Sequence, residues 1–139
     1  MNLRTACLLM LAFPALAADP PRTARPADVE LYIISPRDGE TVRSPVTVRF
    51  GLRGMGIAPA GVAYENTGHH HLLVDAGLPP PEAPIPADDR HLHFGKGQTE
   101  TVLALAPGRH RLQLLLGDHL HRPHDPPVAS APVTITVAP

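Results

Sequence analysis

Prolines and glycines interrupt this chain at short intervals, and they limit the secondary structures that it can form. Proline occurs 18 times and glycine 11 times in 139 residues. Proline lacks the backbone N–H that a helix interior needs, and glycine lowers the stability of a helix. Both residues are common in turns. Their frequency therefore disfavours long helices and favours short strands that are joined by turns.

Between the turns, apolar and polar residues alternate with the period of two that is typical of half-buried strands. Five segments have this alternation: VELYIIS (29–35), SPVTVRFGL (44–52), TETVLAL (99–105), RHRLQLLLG (109–117) and PVTITVA (132–138). The stretch GHHHLLVD (68–75) is predicted to be a further strand. We therefore predict one all-β domain over residues 29–138, an immunoglobulin-like β-sandwich with long loops rich in histidine and proline.

The N-terminal residues have the pattern of a secretory signal peptide. Arg4 is followed by the apolar run ACLLMLAF (6–13) and by the cleavage pattern ALA (15–17). We predict a signal peptide over residues 1–18, a flexible leader over 19–28, and a periplasmic or secreted protein without membrane association after the signal is removed. The single cysteine, Cys7, lies in the signal. A metal would therefore be held by histidine, aspartate or glutamate.

The charge and composition argue against several classes of function. The formal net charge is −1 at pH 7, which lacks the basic character of a nucleic-acid-binding domain. Aromatic residues make up 4% of the chain and tryptophan is absent, which disfavours a stacking platform for sugars or bases. Neither a G-x-S-x-G elbow nor an H-E-x-x-H motif occurs in the sequence. We predict that the protein is not an enzyme and does not bind nucleic acid.

Histidine is the residue type that points to a function. Eight of the nine histidines fall into three clusters: His69, His70 and His71; His91 and His93; and His119, His121 and His124. Successive side chains of a strand point to opposite faces. We therefore expect His69 and His71 on one face and His70 on the other, with Leu72 and Val74. His70 and the ninth histidine, His110, are predicted to belong to the core.

The clustered histidines are candidate metal ligands. Pairs spaced by two residues in an extended segment present both imidazoles on one side, and neutral imidazole suits copper, zinc and nickel. We predict His69, His71 and His93 as primary ligands of a copper or zinc ion, with His119 and His121 as further candidates. Nearby carboxylates that could orient the rings are Asp75, Asp88, Asp89, Asp118 and Asp125.

Several longer motifs resemble a family of small secreted bacterial domains of unknown function. They are SPRDGETVRSPVTVRFGLRGMGIAPAG, NTGHHHLLVD, HFGKGQTE and PGRHRLQLLLGDHLHRPHDPPVAS. This resemblance implies a periplasmic β-sandwich and brings no activity. The turn SPRDGETV is also similar to that of CopC-type periplasmic copper-resistance sandwich proteins. Those proteins place a histidine ligand at the mature N-terminus, where this chain would have alanine or aspartate.

Three functions are compatible with these features. The first is a periplasmic carrier or buffer of a metal ion, copper first and zinc second, with a periplasmic protein as a further partner. A blue-copper site is excluded in its usual form because the mature chain would lack cysteine. The second is an interaction module whose histidine- and proline-rich loops recognise a protein or a cell-envelope polymer. The third is a hydrolase with a metal-bound water. Convergence of ring nitrogens on one point would favour the first function, and outward-pointing rings would favour the second.

Overall fold

The computed structural model describes residues 18–139, which form nine strands. The strands are β1 (Glu30–Ser35), β2 (Thr41–Val42), β3 (Val46–Arg53), β4 (Gly56–Ile57), β5 (Thr67–Val74), β6 (His91–Phe94), β7 (Glu100–Leu103), β8 (Gly108–Gly117) and β9 (Val133–Val137). Residues 1–17 of the predicted signal peptide, with Cys7, lie outside the described residues. Within 18–139, no helix is long and apolar enough to cross a membrane.

Two sheets face each other across a single apolar core. One sheet has the order β1-β3-β7, and the other has the order β2-β9-β8-β5-β4 with β6 paired to β5. The inward side chains of both sheets form one cluster that includes Val48, Phe50, Leu72, Leu114 and Ile135. The predicted all-β, immunoglobulin-like sandwich is confirmed. Alternation predicted it correctly because each strand of a sandwich buries one face against the opposite sheet.

Strand β5 occupies an interior position of the larger sheet and is buried on both faces. Leu72 and Val74 point into the sandwich core. Leu73, on the outer face, packs with Ile85 and Leu115 in a second, smaller cluster. Ile85 belongs to the loop after β5, and this loop covers the outer face. The backbone N–H of Ile85 donates to the carbonyl of His121 in the loop after β8. The two long loops therefore enclose the outer side of β5.

Part of the predicted flexible leader over residues 19–28 makes contacts with the folded domain. Residues 20–25 lie against the loop after β8, where Ala24 forms an isolated bridge with Asp125. The guanidinium of Arg22 donates to the carbonyl of His124 and pairs with Asp125 at 3.2 Å. A segment without apolar periodicity has no core face to bury, so its ordering depends on specific polar partners elsewhere in the chain.

Candidate metal centre

Strand pairing brings three of the predicted ligands together. His69 and His71 are two residues apart in β5 and share its outer face. His93 of β6 lies directly opposite His71 in the antiparallel β5–β6 ladder, so its side chain lies on the same face. One ligand nitrogen from each of His69, His71 and His93 can be chosen so that all three lie within 4.8 Å of one another. Regular sheet geometry thus fixes three imidazoles around one point.

A fourth imidazole, that of His121 in the loop after β8, lies beside the group of His69, His71 and His93, whose ligand nitrogens are within 4.8 Å of one another. The ring centroid of His121 lies 5.0 Å from that of His69 and 4.9 Å from that of His93. Its distance to the His71 centroid is 6.4 Å. His121 has a backbone φ of 64°, in the left-handed region that non-glycine residues rarely adopt. Such a conformation persists only where the surrounding structure enforces it, and it is most common at functional sites.

The carboxylate of Asp118 holds the loop that carries His121. Its Oδ1 accepts the backbone N–H of Leu120 and of Arg122, both at 2.9 Å. The backbone carbonyl of Asp118 accepts the N–H of His121 at 2.8 Å. Burial alone would raise the pKa of Asp118, but these backbone donors and the Thr23 hydroxyl hold the pKa below its usual value. Asp118 therefore remains ionised and fixes the turn.

Two of the three histidines of β5, His69 and His71, are buried and have ring nitrogens without a hydrogen-bond partner. His69 is 0% exposed and His71 is 1% exposed. Neither ring nitrogen of His69 has a hydrogen-bond partner, and Nδ1 of His71 has none either. Buried polar atoms are nearly always paired, because an unpaired one costs about 1–3 kcal/mol. A bound metal ion would supply the missing partner for both rings.

Two glycines leave the space that the imidazoles occupy. A Cβ at Gly117 would lie 2.7 Å from Cε1 of His71 and 3.1 Å from its Nδ1. A Cβ at Gly95 would overlap the ring of His93 and lie 2.7 Å from its Nε2. Neither glycine has a positive φ, so backbone conformation does not require glycine at these positions. Glycine is required because an imidazole ring approaches the backbone closely. No pattern in the sequence indicates this role for the two glycines, although both lie within two residues of a clustered histidine.

The spacing of the four rings fits a tetrahedral ion. Metal–nitrogen bonds of about 2.0–2.1 Å place the centroids of tetrahedrally arranged imidazoles about 5 Å apart. Five of the six centroid distances among these rings lie between 4.8 and 5.1 Å. A square plane would instead leave two opposite pairs roughly 6 Å apart. Only His71 and His121 have so long a separation, at 6.4 Å.

The structure does not bring His119 to this cluster. Its side chain faces a separate surface cavity that Thr23, Tyr64 and Glu65 also line. His119 and His121 are both in the loop, but the loop is not extended, and the i,i+2 rule therefore does not apply to them. The prediction that His119 could join the site depended on that rule.

His91 and His110 each have a carboxylate partner outside the cluster. Two of the carboxylates considered as orienting groups bind rings outside the cluster: Asp88 contacts His91 at 2.8 Å, and Asp75 contacts His110 at 2.7 Å. The hydrogen bond that the His110 ring donates to the Asp75 carboxylate raises the pKa of His110. His110 is partly exposed at the start of β8, so its prediction as a core residue is wrong. The alternation placed it on the core face, opposite the core residue Ile135, but its ring contacts Asp75 and the carbonyl of Ala106 and stays partly exposed.

His70 is the buried histidine that the alternation assigned correctly. It is 1% exposed, and its ring packs against Phe50 with centroids 5.0 Å apart. His124, in the loop after β8, is also buried, and one of its ring nitrogens contacts the carbonyl of Thr67 at 3.3 Å. Neither ring belongs to the group of His69, His71 and His93.

We predict that the metal-free protein loses stability as the pH falls from about 7 to 5. Burial lowers the pKa of His69 and of His70 to about 4, and that of His71 to about 3. The same side chains have a pKa of about 6.5 in the unfolded chain. Below that pH the unfolded state binds protons that the folded state excludes, so each histidine costs up to about 1.4 kcal/mol per pH unit.

Urea unfolding of the metal-free protein at pH 7 and pH 5 measures this loss. The sign follows from the lowered folded pKa values: the free energy of unfolding decreases below about pH 6.5 and levels off once the folded histidines also become protonated. A midpoint that is the same at both pH values would contradict the neutral, buried state of these three rings.

Comparison with known proteins identifies a family and finds distant structural likeness to solved structures. A family model described as "Domain of unknown function (DUF4399)" matches residues 48–138. No curated protein matches the chain. A solved structure described as "Structures of Clostridium thermocellum CbhA fibronectin(III)-like modules" is 14% identical with a TM-score of 0.45. The match covers 79% of this chain and 46% of that chain, so this chain spans less than half of the structure it matches.

Proposed function

Because this chain belongs to the DUF4399 family of domains of unknown function, whose description names no activity, we propose a function from the site itself. The protein binds one metal ion, zinc in preference to copper, through His69, His71, His93 and His121. It acts as a carrier or buffer of that ion in the periplasm or outside the cell. This compartment is proposed on the basis of the signal-like residues at the N-terminus.

The observation that carries the proposal is the environment of His69. Its ring is fully buried, both of its nitrogens lack a hydrogen-bond partner, and three other imidazoles surround it at centroid distances of 4.8 to 5.0 Å. A core histidine would be expected to use at least one nitrogen in a hydrogen bond. An interaction surface would be expected to expose its rings. Convergence of rings on a point, with two of the rings buried, is what metal binding requires.

The geometry favours zinc over Cu²⁺. Zinc is held tetrahedrally in protein sites, whereas Cu²⁺ with nitrogen ligands prefers a square-planar or tetragonal arrangement. The ring spacing is nearer to the tetrahedral arrangement. Four imidazoles also fill the coordination sphere of zinc and leave no position for a water nucleophile. This supports a carrier or buffer over a hydrolase.

The test is metal binding by the protein prepared without a histidine tag. We expect one equivalent of zinc to bind tightly in a competition titration against a chelator, and copper to bind with a different stoichiometry or geometry. Electronic absorption of the Co²⁺ form should have the intensity of a tetrahedral complex. Failure of zinc, copper and cobalt alike to bind at one equivalent would refute the proposal.

A further inference from the structure

We infer that the N-terminal segment of residues 20–25, here called the strap, sets the number of protein ligands at the metal centre. With the strap docked, His121 completes a site of four histidines. With the strap released, three histidines remain and one coordination position opens for exchange of the ion. This inference rests on the proposed function and describes how the same site would be regulated.

The strap contacts the loop after β8 along the whole length of the strap. The Thr23 hydroxyl donates to Oδ2 of Asp118 at 2.9 Å, and the Thr23 carbonyl accepts the N–H of Asp125 at 2.8 Å. The guanidinium of Arg122 donates to the carbonyls of Pro20 and Pro21 at 2.9 and 3.2 Å. Each of these partners belongs to the same loop as His121. The strap therefore restrains that loop through polar contacts to both its side chains and its backbone.

Asp118 connects the strap to His121. Its Oδ2 receives the Thr23 hydroxyl, while its Oδ1 receives the N–H groups of Leu120 and Arg122 on either side of His121. The residue is 1% exposed, so loss of the Thr23 hydroxyl would leave one buried carboxylate oxygen without that donor. A buried charge that loses a hydrogen bond is destabilised. Loss of the Thr23 hydroxyl would therefore weaken the turn that holds His121 at a positive φ.

The other three ligands do not depend on the strap. His69 and His71 lie in the interior of β5, and His93 lies in β6, where ladder hydrogen bonds fix their positions. Only His121 lies in a loop. Release of the strap should therefore remove one ligand and leave three in place. Three protein ligands with an open fourth position are the arrangement in which zinc binds an exogenous ligand, and such a ligand could come from an acceptor protein.

The experiment uses Co²⁺ as the probe, because zinc has a filled d shell and gives no visible spectrum. Four variants of residues 18–139 or of the full chain are compared with the parent: Thr23→Val, His121→Asn, the double variant, and Thr47→Val. Valine has the shape of threonine without its hydroxyl, and asparagine tolerates the left-handed backbone at position 121. Thr47 is an exposed residue of β3 in the opposite sheet, so Thr47→Val is the matched control.

We expect Thr23→Val to shift the Co²⁺ absorption towards that of His121→Asn and to weaken Co²⁺ affinity by about tenfold, the lower range for loss of a supporting contact. The double variant should behave as His121→Asn alone, since both changes act through the same ligand. Thr47→Val should match the parent protein. Addition of imidazole should change the spectrum of Thr23→Val more than that of the parent, because it can occupy the open position.

Other outcomes would overturn the inference in distinguishable ways. If Thr23→Val lowers only the melting temperature and leaves the Co²⁺ spectrum and affinity unchanged, the strap has a structural role and no role at the site. If the effects of the two substitutions add in the double variant, Thr23 does not act through His121. If the parent protein binds neither Co²⁺ nor Zn²⁺, the proposed function itself is wrong, and the inference is wrong with it.

Discussion

Replacing His93 with alanine should abolish stoichiometric zinc binding, whereas replacing His91 with alanine should leave it unchanged. The two residues are neighbours on the same face of β6, but only His93 belongs to the group of converging rings. His91 is instead bound to Asp88. Changes to supporting residues around a metal typically weaken binding by 10- to 100-fold, so loss of a direct ligand should weaken it by more than about 100-fold.

The measurement is a chelator competition titration together with thermal melts of the metal-free proteins. His93 is exposed in the metal-free state, so its replacement should change apo stability only slightly. His70→Ala serves as a second control: it should retain zinc binding but lower stability by about 1–3 kcal/mol, because it removes a buried ring that packs against Phe50. Loss of zinc binding in His70→Ala, with normal binding in His93→Ala, would place the site on the other face of β5.

Replacing Gly117 with alanine should both destabilise the protein and weaken zinc binding. The new methyl group would lie 2.7 Å from Cε1 of His71 and 3.3 Å from Cδ1 of Ile85. The His71 ring is 1% exposed and is enclosed by the loops over β5, so it cannot swing into solvent to relieve the overlap. Overpacking of this kind typically costs about 1–3 kcal/mol. Displacement of a ligand ring should add a loss of zinc affinity of at least about tenfold, equivalent to 1.4 kcal/mol.

Gly77→Ala is the matched control for this substitution. A Cβ at Gly77 would meet no atom within 4 Å, and the residue does not have a positive φ. We expect this variant to keep the stability and zinc affinity of the parent. Equal zinc affinity in Gly117→Ala and Gly77→Ala would mean that His71 is not a ligand, or that its ring has room to adjust.

Local pattern predicted the strands well because period-two alternation is a property of a few consecutive residues. The predicted segment 44–52 corresponds to β3 at Val46–Arg53, and 109–117 corresponds to β8 at Gly108–Gly117. Three strands were not predicted: β2 (Thr41–Val42), β4 (Gly56–Ile57) and β6 (His91–Phe94). The first two are only two residues long, and so short a segment has no alternation of its own.

The candidate ligands differ in how far sequence could identify them. His69 and His71 follow from the alternation of β5 alone. His93 was predicted from its spacing to His91, but it is the register of β6 against β5 that places it opposite His71. The spacing argument gave equal weight to His119 and His121, yet only His121 lies among the other three rings. The turn held by Asp118 separates these two, and no local pattern encodes the position of that turn in space.

By itself, then, the sequence determined the strand segments, the sandwich architecture, and the division of the histidine run into a core-facing His70 and an outward-facing pair. These follow from the backbone of a strand, in which neighbouring side chains always point to opposite faces. Only the tertiary structure decided that the outward pair is buried, that His93 and His121 converge on it, and that residues 20–25 restrain the loop of His121. Those features depend on ladder register and on contacts between segments about 100 residues apart in sequence, such as Arg22 with His124. Register and long-range contacts are determined by the packing of the whole chain and not by local periodicity.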